Sequence, residues 1–289
     1  MPDQGVGRSG RPDRASAGKP TLSESRANPD LVALVGRLIA EGPIDRPPVI
    51  GIVGAQGSGK TTLARAAAAA FGAAQISIDD VYLTRSEREA MARDVHPLFL
   101  TRGPPGTHDL GLLQQLIDKL SEAGPDDTVR IPGFDKRGDD RTIRTQWRTF
   151  PGRPSAILID AWCLGALPQS FEEMATPINA LEAEHDADGR WRRKVNSFLA
   201  DYHDFSERFD AILFLKAPGF DVVLDWRCQQ EADLLGMAPG DLAQAERQRL
   251  ADFIQYFERI TRWMLAGWVH VDETVPLDRD RRPCANGGA

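Results

Sequence analysis

The run Gly54-Ala55-Gln56-Gly57-Ser58-Gly59-Lys60-Thr61 carries glycines, a lysine and a hydroxyl at the spacing of a Walker A phosphate loop. Glycines let consecutive backbone N–H groups curl around phosphate oxygens where side chains would collide. Lys60 can reach the β- and γ-phosphates and the Thr61 hydroxyl can ligate magnesium, with Thr62 closing the contact set. Four further acids and bases stand where such a loop needs them. Asp79 and Asp80 directly follow the apolar run Ile76-Ser77-Ile78, so one of the two can take the proton of an attacking hydroxyl. Asp160 ends the run Ile157-Leu158-Ile159 in the form of a Walker B strand and can hold magnesium directly or through water. Arg227, in Asp225-Trp226-Arg227-Cys228-Gln229-Gln230-Glu231, can neutralise charge on a transferring phosphoryl group from a closing helical segment.

The elements that must position these residues alternate. Apolar runs at residues 49–53, 74–78, 128–131, 156–159 and 211–215 read as buried strands. Helical patterns at 30–40, 61–71, 110–120, 190–202 and 242–265 fall between or beside them. Strands alternating with helices imply an α/β fold, a P-loop three-layer sandwich with a mostly parallel sheet and helices on both faces. Residues 1–27, biased toward Gly, Arg, Ser and Pro, read as a disordered leader, residues 28–272 as the kinase domain, and 273–289 as a flexible tail.

A net charge of -7 and a pI near 5.3 argue against a nucleic-acid binder, which needs a basic face. No apolar run is long enough to span a bilayer and no secretory signal opens the chain. Three widely spaced cysteines form neither a disulfide framework nor a metal-ligand pattern, which fits a cytoplasmic setting. The oligomeric state is not legible. Two polar loops can receive an anionic substrate: Arg102-Gly103-Pro104-Pro105-Gly106-Thr107-His108-Asp109, and Pro132-Gly133-Phe134-Asp135-Lys136-Arg137. Arginine suits a carboxylate or phosphate because its planar fork makes two parallel hydrogen bonds.

Taken in order, these strings resemble the P-loop D-glycerate 3-kinase family of plant and fungal type, related to uridine kinase, pantothenate kinase and phosphoribulokinase. The resemblance is carried by Gly54 to Thr62, Ser77-Ile78-Asp79-Asp80-Val81-Tyr82-Leu83-Thr84, Gly106-Thr107-His108-Asp109-Leu110, Phe134-Asp135-Lys136, Asp160-Ala161-Trp162-Cys163 and Trp226-Arg227. It implies ATP and magnesium as cofactors, Lys60 and Thr61 on the phosphates and metal, and Asp79 rather than Asp80 as the base. It also implies Arg102, Thr107, His108, Asp109 and Lys136 around a small hydroxylated acid, most directly D-glycerate. Asp160 stands where that family usually has Glu, Ala161 where it has Gly, and Val81 where it has Phe. The residues alone leave open other acceptors (a nucleoside, pantothenate or another small alcohol) and a non-catalytic nucleotide switch.

Overall fold

The computed structural model describes residues 27–284. The leader expected over 1–27 lies, but for its last residue, outside the described residues, as does 285–289. The elements run α1 (Pro29–Glu41), β1 (Val49–Gly54), α2 (Lys60–Phe71), β2 (Ala74–Ser77), α3 (Arg85–Asp94), α4 (Leu110–Glu122), β3 (Thr128–Ile131), β4 (Phe134–Asp135), β5 (Asp140–Arg141), β6 (Arg148–Pro151) and β7 (Ile157–Ala161). They continue with α5 (Ala180–His185), α6 (Arg190–Ser206), β8 (Ala211–Lys216), α7 (Asp221–Leu235), α8 (Gln244–Leu265) and β9 (Glu273–Pro276).

Five strands pair in parallel in the order β2-β7-β1-β8-β9. Every residue of β1 and β7 is buried, because helices cover both faces of the sheet. Strand alternation divides the core. Ile50, Ile52, Leu158, Leu213 and Leu215 face α1, α2 and α7, whereas Val53, Ile157, Ile159 and Phe214 face α4, α6 and α8. The α/β sandwich expected from the alternation of runs is the fold that forms. Parallel pairing also fixes the site: Ser77 and Ile52 both lie opposite Asp160, so the ends of β1, β2 and β7 open on one edge. Among the described residues, no helix is long and apolar enough to cross a membrane.

Two sequence-based expectations need correction. Residues 128–131 do form a strand, but β3 pairs antiparallel with β6 in a separate two-stranded sheet. Only Val129 and Ile131 point inward while Thr128 and Arg130 are exposed, the alternation of a strand covered on one face. The fifth place in the central sheet belongs to β9, inside the segment expected to be a flexible tail. Glu273 to Pro276 pairs with Leu213 to Lys216 at the sheet edge, and the chain then turns back through Asp278 N–H to Arg282 O (2.9 Å) and a bridge between Leu277 and Pro283. A four-residue polar strand ending in proline gives almost no apolar signal, since an edge needs little burial and tolerates Pro.

Candidate active site

The phosphate loop leaves β1 at Gly54 and enters α2 at Lys60. Gly57 and Gly59 adopt φ +77° and +92°, a left-handed region that side chains rarely occupy. A Cβ on Gly57 would lie 2.7 Å from the Trp226 Cβ, so the loop packs against α7 with no room for a side chain. Nothing lies within 4 Å of a Cβ placed on Gly59, which faces an open cleft of about 490 Å³. No side chain caps α2, and its first N–H groups and positive dipole end therefore face this cleft. Lys60 Nζ donates to the Ala55 carbonyl (2.7 Å) within the loop. Burial lowers its ammonium to about 8, with the Asp160 and Asp79 charges opposing the shift, so it stays a cation at neutral pH.

Asp160 is buried beneath the loop. Its Oδ1 accepts from Thr61 Oγ1 (3.0 Å) and Ser77 Oγ (2.9 Å), and its Oδ2 from Gln75 Nε2 (2.7 Å). Burial pushes this carboxyl upward against the Lys60 charge. A threonine hydroxyl bonded to a carboxylate at a phosphate loop is a set of hard oxygen donors, the kind magnesium prefers.

Asp79 and Asp80 part company on the tight turn Ile78–Val81. Asp79 lines a second cleft of about 150 Å³ on the other side of the loop, shared with Lys60, Thr61, Arg102, Lys136 and Arg227. Its Oδ1 accepts from Tyr82 Oη (2.6 Å) and its Oδ2 is ion-paired to Lys136 Nζ (2.8 Å). Burial would raise this carboxyl, but Lys136 and the Tyr82 hydroxyl outweigh burial and hold it well below the carboxylate range. Lys136 is on the exposed turn between β4 and β5. That turn is anchored by the fully buried Arg88, which donates to the Asp139 carbonyl (2.6 Å), and by the ion pair of Arg102 with Asp139. Arg227 projects from α7 beside Gln230 and Glu231.

No protein-family model matches the chain. It is 29% identical over 267 residues to a Schizosaccharomyces pombe protein described as the uncharacterized kinase mug58, an alignment covering 83% of this chain and 91% of that one. It is 30% identical over 243 residues to the chloroplastic D-glycerate 3-kinase of Arabidopsis thaliana, covering 79% of this chain and spanning 50% of that longer relative. The fold matches a solved D-glycerate 3-kinase from Cryptococcus neoformans with a TM-score of 0.65 at 22% identity, covering 88% of this chain and 95% of that one. The chain's sequence relatives and its fold are those of P-loop kinases. Its relatives and structural neighbours include D-glycerate 3-kinases, as the motif strings led one to expect.

Not every residue singled out from the sequence lies in the kinase's clefts. Asp80 turns back, accepting from Ser77 N (3.3 Å) to close a capping box and pairing with Arg148 at 3.6 Å. Thr107 is fully buried and holds its own loop, donating to the Pro104 carbonyl (2.7 Å) and accepting from Gly103 N (2.9 Å). Asp109 caps α4 through Leu112 N (2.8 Å) and pairs with Arg141 at 3.2 Å. His108 stacks on Tyr82 at 4.7 Å and shares a 2.6 Å hydrogen bond between Nδ1 and Tyr202 Oη, behind the cleft wall. Thr107, His108 and Asp109 are thus spent on backbone and neighbours, and they shape the pocket from behind. Tyr82, by contrast, touches Asp79 directly, and an isolated tyrosine after an apolar run carries no signal of such contact.

Burial pushes the His108 imidazole down to about 4, against the opposing Asp79 charge. The folded kinase therefore holds His108 neutral where the unfolded chain takes up a proton, and stability falls as pH drops from about 6.5 toward 4. The loss from this group is roughly 3 kcal/mol over that window. Urea melts at neutral and mildly acid pH should show a smaller acid loss for His108→Gln than for the wild type. An identical loss in both would place the acid sensitivity elsewhere.

Proposed function

We propose that the kinase transfers the γ-phosphoryl group of ATP to a hydroxyl of a small hydroxy acid, D-glycerate, giving 3-phosphoglycerate. The observation carrying this reading is the 150 Å³ cleft in which Asp79, Lys136 and Arg102 converge opposite Lys60. It pairs one proton acceptor with two cations suited to a carboxylate, and the Arabidopsis and Cryptococcus relatives bear the matching name. The cleft is small against the ~300–1,000 Å³ of ordinary ligand pockets, which favours a compact acid over a nucleoside. Phe99, Phe134 and Trp147 do not line it, whereas Tyr82, Trp162, Phe253 and Phe257 do, so the preference for a compact acid rests on the size of the cleft and its charges.

Magnesium, held by the Thr61 hydroxyl and Asp160, would supply charge neutralisation on the phosphates. Lys60 swings from the Ala55 carbonyl to the phosphates, joining the N–H groups at the start of α2. Arg102 and Lys136 take the acceptor carboxylate, and Lys136 leaves Asp79 to do so. The acceptor oxygen then forms its bond to phosphorus as the bridging bond to the β-phosphate breaks, and ADP departs. The hydroxyl proton passes to Asp79, with Tyr82 orienting that carboxylate. In a loose transition state the proton leaves late, so a weakly basic Asp79 suffices. Arg227 lies within the same cleft to meet charge on the moving phosphoryl group. A cytoplasmic setting belongs to this reading, supported by the free Cys163, Cys228 and Cys284.

Release of ADP should be measured with D-glycerate, glycerol, uridine and pantothenate as acceptors. D-Glycerate is expected to give the highest kcat/KM. Glycerol, lacking the carboxylate, should fall about 10²-fold or more below it, as when a site's charged partners are left unmatched. Absence of turnover with D-glycerate would overturn the assignment.

A further inference from the structure

The hairpin after β9 ends against the phosphate loop. Arg281 Nε donates to the Gly57 carbonyl at 2.6 Å, bridging residues that lie 224 positions apart in the chain. The same guanidinium stands 5.1 Å over the Trp226 ring of α7, and its Nη1 donates to Gln229 Oε1 at 3.0 Å. Trp226 Nε1 in turn donates to the Arg279 carbonyl at 2.8 Å. Arg281 has φ +63°, a conformation uncommon for a residue with a side chain. The hairpin imposes it: Asp278 Oδ1 accepts from both Asp280 N and Arg282 N at 2.8 Å, and Arg281 N donates to the Asp278 carbonyl at 3.0 Å. A strained residue held by several bonds marks a position the fold over-determines.

We propose that Arg281 is a positioning residue for the nucleotide: it locks the Gly57–Ser58 peptide so that the loop's carbonyl points outward and its donors stay turned to the phosphates. Glycine at φ +77° leaves that peptide free to rotate, and a carbonyl turned inward would oppose phosphate oxygens. A charge-assisted hydrogen bond from a guanidinium removes this freedom before ATP arrives. The lock also joins the loop to α7, so the phosphate cradle and the helix bearing Arg227 move as one piece. Asp280, Arg281 and Arg282 wall the 490 Å³ cleft, which places the hairpin on the nucleotide side and away from the acceptor. The inference holds whichever acceptor the kinase uses.

Arg281→Met in the full chain should raise the Kd for ATP, measured calorimetrically, by roughly 10- to 100-fold, the worth of one charge-assisted hydrogen bond. The acceptor KM should stay within about twofold and the melting temperature without ATP should barely move, because one part-buried hairpin contact at the edge of the fold contributes little to the core. Arg281→Lys keeps the charge and loses the planar Nε donor, so most of the defect should remain. An unchanged ATP Kd overturns the proposal. So does a rise in both constants together with a lower melting temperature, which would mean a general packing role. Hydrogen exchange on the wild-type chain gives an independent reading if the variants fail to fold. ATP should protect 278–282 as well as 57–62, and protection confined to the loop also overturns it.

Discussion

Asp79→Asn should lower kcat for acceptor phosphorylation by about 10²- to 10⁴-fold, the usual worth of a positioned general base. The amide has the same shape and can keep the bond from Tyr82 Oη, but it cannot take the hydroxyl proton. ATP affinity should change little, because Asp79 borders the small acceptor cleft and not the 490 Å³ nucleotide cleft. Its neighbour provides the control. Asp80 is tied to Ser77 N and Arg148, so Asp80→Asn should act on stability with only a modest loss of turnover. If Asp79→Asn retains more than about a tenth of wild-type kcat, Asp79 is not the base.

Arg227→Ala is expected to cost about 10³-fold in kcat, in the range of arginines that stabilise phosphoryl transfer. The reason lies in the geometry of α7. Trp226 is buried against the phosphate loop, and the next residue along the helix turns some 100° from it, which directs Arg227 to the acceptor cleft. Single-turnover rates with ATP prebound would separate this effect from binding. Arg227→Lys should recover only part of the rate, since an ammonium offers one point charge in place of a fork. A rate within about fivefold of wild type for Arg227→Ala would assign the residue to its Gln230 and Glu231 contacts alone.

The parts of this site that the sequence displays are those made by local chain. Strand, glycine loop and helix at 49–71 follow one another without interruption, so their register is set by neighbours. Asp160 is legible for the same reason, as the acid at the end of a fully buried run. The two adjacent acids are not separable by spacing, because a tight turn sends consecutive side chains in different directions. The Ser77 cap and the Arg148 pair on Asp80, against the Lys136 and Tyr82 contacts on Asp79, distinguish them. The Gly106-Thr107-His108-Asp109 string marks the right place, yet its side chains serve the framework. Thr107 and Asp109 hold backbone, and His108 backs Tyr82. Least legible is the C-terminal segment. β9 is short, polar and at a sheet edge, and Arg281 reaches Gly57 across nearly the whole chain, a contact no local pattern encodes.

The most direct measurement is a crystal structure of the kinase with a non-hydrolysable ATP analogue, magnesium and D-glycerate. The 3-hydroxyl oxygen should lie about 3 Å from an Asp79 carboxylate oxygen and in line with the γ-phosphorus, with the glycerate carboxylate on Lys136 and Arg102. Finding the acid outside this cleft, or its hydroxyl remote from Asp79 while Lys136 still covers that carboxylate, would contradict the mechanism.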